Sequence, residues 1–167
     1  VVATEPRESK WIVFTAPETN VYTFNVQKNS ESNEVANCTE FYSEVLKSSL
    51  ASIQRDGTYE CAMQEGEKLY LKVKGNNYNA VADAAITVSK LPTFVTGQDI
   101  SVEAGEVQWY VFHAEETGCY NFTAKGDETS GSSLYLYKEK KGTSLSGTSD
   151  EYGAELLYAL QAGETYY

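Results

Sequence analysis

WIVFTAPETNVYTF, residues Trp11–Phe24, returns as WYVFHAEETGCYNF at Trp109–Phe122, in register at a shift of 98 positions (109 − 11). Trp11/Trp109, Val13/Val111, Phe14/Phe112, Ala16/Ala114, Glu18/Glu116, Thr19/Thr117, Tyr22/Tyr120 and Phe24/Phe122 all coincide. A second pair, QEGEKLY at Gln64–Tyr70 and QAGETYY at Gln161–Tyr167, follows at a shift of 97 (161 − 64). Solenoid repeats have periods of roughly 20–50 residues, so a period this long marks a tandem of whole small domains. Any function belongs to a module of that size.

Working outward from the repeat, the texture is β. Tyr22, Phe24 and Val26 fall on one face of a run whose Thr23 and Asn25 fall on the other; Tyr120, Phe122 and Ala124 do the same in the second copy. Period-2 alternation of this kind predicts half-buried strands. KLYLKVKG turns Leu69, Leu71 and Val73 inward against Lys68, Lys72 and Lys74. In AELLYALQ, Leu156, Tyr158 and Leu160 take the places of Tyr59, Cys61 and Met63. Turn clusters such as Thr117-Gly118, Lys125-Gly126-Asp127 and Ala162-Gly163-Glu164 separate the runs. No helical apolar stripe of useful length is present. The expectation is an all-β chain of two tandem antiparallel β-sandwiches, one at 1–90 and one at 99–167, joined by a short linker at 91–98. The predicted core includes Phe14, Tyr22, Phe24, Leu71, Val73, Phe112, Tyr120, Phe122, Leu134, Leu136, Leu156 and Leu160. The first copy closes on AAITV (Ala84–Val88), whereas the second reaches only Tyr166-Tyr167. That difference predicts a C-terminally truncated second sandwich, a natural polypeptide with further domains, and an uncovered strand edge near Tyr166-Tyr167.

Charge narrows the partners. Residues 1–90 carry 12 acids against 9 bases, a net of −3, and residues 91–167 carry 12 against 4, a net of −8. Nucleic acids and anionic membrane surfaces are bound by basic patches, so neither is expected as a partner. No run of ~20 apolar residues offers a helical membrane span.

Catalytic constellations are missing from the sequence. The one histidine, His113, stands where the first copy has Thr15, opposite in parity to Phe112, and reads as a solvated strand residue. G-x-S-x-G, H-E-x-x-H and paired C-x-x-C do not occur, nor does a glycine-rich phosphate loop. Three cysteines cannot all pair. Cys61 shares its place with the inward Tyr158, Cys38 has the opposite parity to Phe41, and Cys119 falls at a turn, so free thiols are expected. The reading is no enzyme and no cofactor, with calcium as the one open possibility.

Two sites stand out. SSLYLYKEK throws Tyr135 and Tyr137 outward together, and Tyr42 matches Tyr137 in the first copy. Neighbouring exposed tyrosines make a flat amphipathic surface suited to sugar rings or an extended peptide, although strands favour tyrosine for packing reasons alone. Trp11 and Trp109 have the opposite parity to Phe14 and Phe112, which allows either packing at a sandwich edge or exposure as a binding platform. The second site is calcium at the acidic loops Asp127-Glu128 and Asp150-Glu151. Calcium requires ~6–8 oxygen ligands, and these loops lack D-x-D-x-D spacing.

The string W-x-x-F-x-A-x-E-T at Trp11 and Trp109, then Y-x-F at Tyr22 and Tyr120, then LYLY at Leu134–Tyr137, then L-x-A-G-E-x-Y-Y at Leu160–Tyr167, resembles the bacterial pre-peptidase C-terminal domain family. The resemblance covers both modules, with a departure at NSESNEVANCTEFYSEVLKSS (Asn29–Ser49). It implies a jelly-roll sandwich, related to the collagen-binding modules of clostridial collagenases. It also implies an accessory role beside catalytic domains of the same polypeptide. The expected function is a non-catalytic, extracellular or cell-surface module that binds polysaccharide or protein. The alternative is a spacer or secretion aid with no ligand.

Overall fold

The computed structural model describes residues 1–5, 8–28, 37–44, 48–75, 82–126 and 131–167. Among them the chain forms strands and turns and no helix. The chain divides into two units, Val1–Lys90 and Leu91–Tyr167.

In the first unit the strands run β1 (Val2–Thr4), β2 (Ser9–Thr15), β3 (Asn20–Lys28), β4 (Asn37–Ser43), β5 (Ala51–Gln54), β6 (Gly57–Met63), β7 (Lys68–Gly75) and β8 (Ala82–Lys90). They form two antiparallel four-stranded sheets, in the orders β1-β8-β3-β6 and β2-β7-β4-β5. Alternation decides what each sheet turns inward. Tyr22, Phe24, Val26, Met63 and Ala84 of the first sheet meet Phe41, Ile53, Leu69, Leu71 and Val73 of the second in one core. The arrangement is sandwich-like. Phe24 and Phe41 are completely buried, and each aromatic removed from water contributes about 2–3 kcal/mol. Phe14 packs edge-on against Tyr22 and Phe24, with ring centroids 5.1 and 5.2 Å apart. That is the tilted geometry favoured by aromatic quadrupoles.

The second unit contains β9 (Thr93–Phe94), β10 (Val111–His113), β11 (Gly118–Ala124), β12 (Ser132–Tyr137), β13 (Ser144–Asp150), β14 (Ala154–Leu160) and β15 (Thr165–Tyr166). β15 pairs antiparallel with β10, and Tyr137 and Tyr167 exchange backbone hydrogen bonds of 2.7 and 2.9 Å that tie the same segment to β12. β12 pairs with β13, and β11 with β14. The run β10-β15-β12-β13 therefore follows β2-β7-β4-β5, and β11-β14 follows β3-β6. Phe112, Ala114, Leu136, Leu156, Leu160 and Tyr166 form the core, with Phe94, Tyr120, Phe122, Leu134 and Tyr158 packed partly buried against it. Thr93–Phe94, inside the expected linker, pairs with β10 in parallel.

Local detail repeats as well. The Ala16 amide donates to the Glu67 carbonyl and the Gly66 amide to the Ala16 carbonyl, at 2.9 and 2.8 Å; Ala114, Glu164 and Gly163 repeat this at 3.1 and 2.8 Å. Both turns need a left-handed residue, and Gly66 and Gly163 supply φ values of 80° and 77°. The Tyr22 and Tyr120 hydroxyls donate to the Glu18 and Glu116 carbonyls at 2.8 and 3.0 Å. The repeated W-x-x-F-x-A-x-E-T…Y-x-F string is the recipe for this corner.

One expectation about the second unit is corrected. Tyr166-Tyr167 is not an uncovered edge, because it has neighbours on both sides in β10 and β12. The open edge lies on β11. Its counterpart β3 is flanked by β6 and β8, whereas among the described residues β11 pairs with β14 alone.

Candidate functional site

Parity along β2 turns Trp11 and Val13 away from the core, and parity along β4 does the same for Glu40 and Tyr42. Between these strands lies β7, whose Tyr70 pairs with Val13 and Tyr42, and whose Lys72 pairs with Trp11 and Glu40. A single outward face thus gathers side chains from three strands. Trp11 is 55% exposed, and its ring reaches across β7 to Tyr42, with centroids 5.2 Å apart and planes inclined by 52°. The Lys72 ammonium stands 5.5 Å from the Trp11 ring centre, within cation–π range.

Beside the pair is an open depression of about 310 Å³ lined by Trp11, Tyr42, Ser43, Glu44 and Tyr70. Hydrogen bonds hold two of its lining tyrosines. The Tyr42 hydroxyl donates to Glu40 Oε2 at 2.8 Å, and Lys74 Nζ donates to Glu40 Oε1 at 2.5 Å. The Tyr70 hydroxyl donates to Glu44 Oε1 at 3.4 Å. Partial burial alone would raise the Glu40 carboxyl, but the bonds from Lys74 and Tyr42 outweigh it and hold the group below its ordinary range. The same contact with Glu40 raises both the Tyr42 phenol and the Lys74 ammonium. Near neutral pH Glu40 stays ionised while Lys74 and Tyr42 keep their protons, which keeps the Tyr42–Glu40–Lys74 bonds in place.

The second unit builds the same pair. Trp109 lies 4.9 Å from Tyr137 with planes inclined by 48°, and Lys140 Nζ stands 5.6 Å from the Trp109 ring centre. The lysine comes from the turn after β12 rather than from the neighbouring strand. Different residues therefore supply the same chemistry beside the indole.

The candidate residues distribute as follows. Trp11 lies on the outward side of β2, the edge strand of its sheet, and Trp109 lies just before β10; each is set against a tyrosine. Tyr42 and Tyr137 are brought to them. Tyr135 shares the outward side and is 57% exposed, but it leans the other way, over β13. A Cβ on its partner Gly147 would meet the Tyr135 ring at 2.5 Å, so the ring lies in the space that glycine leaves empty. The expected Tyr135/Tyr137 pair is thus replaced by Trp109/Tyr137. Tyr70, Glu44, Lys72 and Lys140 were not singled out from the sequence. The signal for Tyr70 is its parity in KLYLKVKG, which places it among the outward lysines.

Of the calcium candidates, Asp127 and Glu128 lie outside the described residues. Asp150 Oδ1 accepts from the Tyr152 and Gly153 amides at 2.8 and 3.3 Å, capping the turn by which the chain leaves β13 for β14. Glu151 is exposed. Among the described residues no three His, Cys, Asp or Glu side chains gather closely enough to hold a metal ion. His113 is half-buried rather than solvated, with Nδ1 3.0 Å from Thr165 Oγ1. Cys38, Cys61 and Cys119 are free thiols, and Cys119 lies within β11 rather than in a turn.

Among the described residues no helix is long and apolar enough to cross a membrane. Comparison with protein-family models, with curated proteins and with solved structures gives no match.

Proposed function

We propose that the chain is a non-catalytic accessory segment of a secreted or cell-surface bacterial protein. In this reading it is two jelly-roll β-sandwiches of the pre-peptidase C-terminal type, and it holds polysaccharide on its Trp–Tyr platforms. One observation carries the proposal: the outward Trp–Tyr pair with an adjacent lysine occurs in both units, at 5.2 and 4.9 Å. Core positions repeat because the fold needs them. Trp11 is 55% exposed and Trp109 is half-buried. Neither indole belongs to its unit's core, so the repetition of the pair supports a surface role.

The chemistry suits a sugar. An aromatic face offers apolar area to the C–H side of a pyranose, while polar groups at its rim bond the hydroxyls. In the first unit Glu44, Ser43, Tyr70 and Lys72 are those rim groups. An open depression covers little of a ligand, so affinity is expected in the micromolar to millimolar range, on the order of −4 to −8 kcal/mol.

The test is a glycan array followed by calorimetry on any hit, using the wild type, Trp11→Ala/Trp109→Ala and Tyr135→Ala. Binding should fall more than about tenfold in the double variant, a loss of about 1.4 kcal/mol or more, and should persist in Tyr135→Ala. A hit indifferent to both tryptophans overturns the platform. Binding to collagen-like peptides alone moves the ligand class to protein. Silence in both screens leaves the ligand-free spacer as the better account.

A further inference from the structure

We propose, resting on the polysaccharide reading above, that the glycan taken by these platforms is acidic. Lys72 and Lys140 each pair with a carboxylate or sulfate group on the sugar ring that lies against the neighbouring indole.

Charge placement points to the lysines. The chain has 24 acidic residues against 13 basic ones, yet the outward face that bears Trp11 and Tyr42 also bears Lys68, Lys72 and Lys74 of β7. Residues 91–167 contain four basic side chains, and three of them, Lys138, Lys140 and Lys141, fall in the turn that leaves Tyr137. Cations are gathered at the platforms of a chain that is acidic overall.

Within each platform one lysine is matched by a glutamate and another is held at the indole. In the first unit the register sets Glu40 opposite Lys72. Glu40 is nevertheless paired with Lys74 at 2.5 Å, and the Lys72 ammonium stands 5.5 Å from the Trp11 ring centre. In the second unit Glu164 is paired with Lys138, and Lys140 Nζ stands 5.6 Å from the Trp109 ring centre. At the shift of 95 that relates Tyr42 to Tyr137 (137 − 42), Lys140 stands where the first copy has Val45. The repeat of the sequence therefore does not by itself bring an ammonium to that indole, and two different routes reach one arrangement. The remaining carboxylates, Glu44 and Glu139, follow Tyr42 and Tyr137 by two residues. Glu44 is engaged by the Tyr70 hydroxyl at 3.4 Å, one outward place along β7 from Lys72, or about 7 Å.

The ligand class follows from this geometry. Both ammonium groups belong to half-buried side chains, and a charge with less water around it pairs more strongly with an opposite one. Each stands near the rim of its indole, where a substituent of a stacked pyranose projects. The C–H face of the sugar covers the indole, and its carboxylate or sulfate accepts a charge-assisted hydrogen bond from the lysine. A neutral ring leaves the ammonium without that acceptor. The net charge of −11 opposes a densely charged polyanion, which favours a glycan with one acidic group per sugar unit.

The experiment is calorimetry on the full chain with oligogalacturonate, oligomannuronate and a sulfated galactan oligosaccharide. Each is compared with its neutral counterpart, the methyl ester or the desulfated form. At least one acidic form should bind about tenfold or more tighter than its counterpart, the range of a hydrogen bond to a charged group, and moderate salt should narrow the gap. The gap should close in Lys72→Gln/Lys140→Gln and persist in Lys72→Arg/Lys140→Arg. Whether the uronates or the sulfated galactan show it identifies the acidic group. Neutral forms that bind as tightly, with binding still lost in Trp11→Ala/Trp109→Ala, overturn the acidic class and leave the polysaccharide platform standing. A gap that survives Lys72→Gln/Lys140→Gln overturns the role of the two lysines. No saturable binding of any acidic form also overturns the proposal; a tryptophan-dependent neutral hit on the glycan array then separates that failure from failure of the platform itself.

Discussion

Thr39 sits on the inward side of β4 with none of its surface exposed, and its hydroxyl has no hydrogen-bond partner among the described residues. A buried unpaired hydroxyl costs about 1–3 kcal/mol relative to a satisfied one. Thr39→Val keeps the shape and the β-branching and removes that cost. The variant should be more stable by about 1 kcal/mol, seen as a higher urea midpoint at unchanged slope; an unchanged or lower midpoint would indicate that the hydroxyl is satisfied in solution. Individual residues were unevenly legible in the sequence. The inward parity of Tyr22, Phe24, Leu71 and Val73 could be read directly, because alternation involves one strand at a time. The contact of Trp11 with Tyr42 could not, since it depends on β7 lying between β2 and β4. The two residues do recur together, at shifts of 98 (109 − 11) and 95 (137 − 42). Unequal shifts hide such a pair from a simple alignment.

Among the elements, the repeated turn at Gln64–Glu67 and Gln161–Glu164 is the most closely duplicated. Nothing lies within 4 Å of where a Cβ would stand on Gly66, so Gly66→Ala is sterically free and tests backbone conformation alone. At φ 80° an L-residue is strained, and the variant should lose about 1–2 kcal/mol in urea unfolding, read from the first unit. A neutral substitution would mean that the turn has an alternative path. Sequence reading found these turns from their glycines, and found the strands from their period. It misplaced the open edge because it reasoned from which strand comes last in the chain. Sheet order is a different property: the late segment Thr165–Tyr167 enters the middle of its layer, and among the described residues it is β11 that pairs on one side alone.

At the scale of the whole molecule the two units are unequal partners in stability. The first has two four-stranded sheets around a closed core, while the second leaves Tyr120 and Phe122 half-buried and carries the larger negative charge. Less buried apolar area and more self-repulsion both lower stability. The second unit should unfold first in urea, and moderate salt should raise its midpoint more than that of the first by screening. Unfolding of both units at one midpoint, insensitive to salt, would contradict this. The means of watching it is already in the chain. The chain has only two tryptophans, one in each unit, each tilted against a tyrosine with a lysine nearby. Trp11→Phe leaves an indole whose emission reports the second unit, and Trp109→Phe leaves one that reports the first. Each platform is thus an optical gauge of its own unit, and a sugar settling on one indole would shift the colour of that signal while leaving the other unchanged.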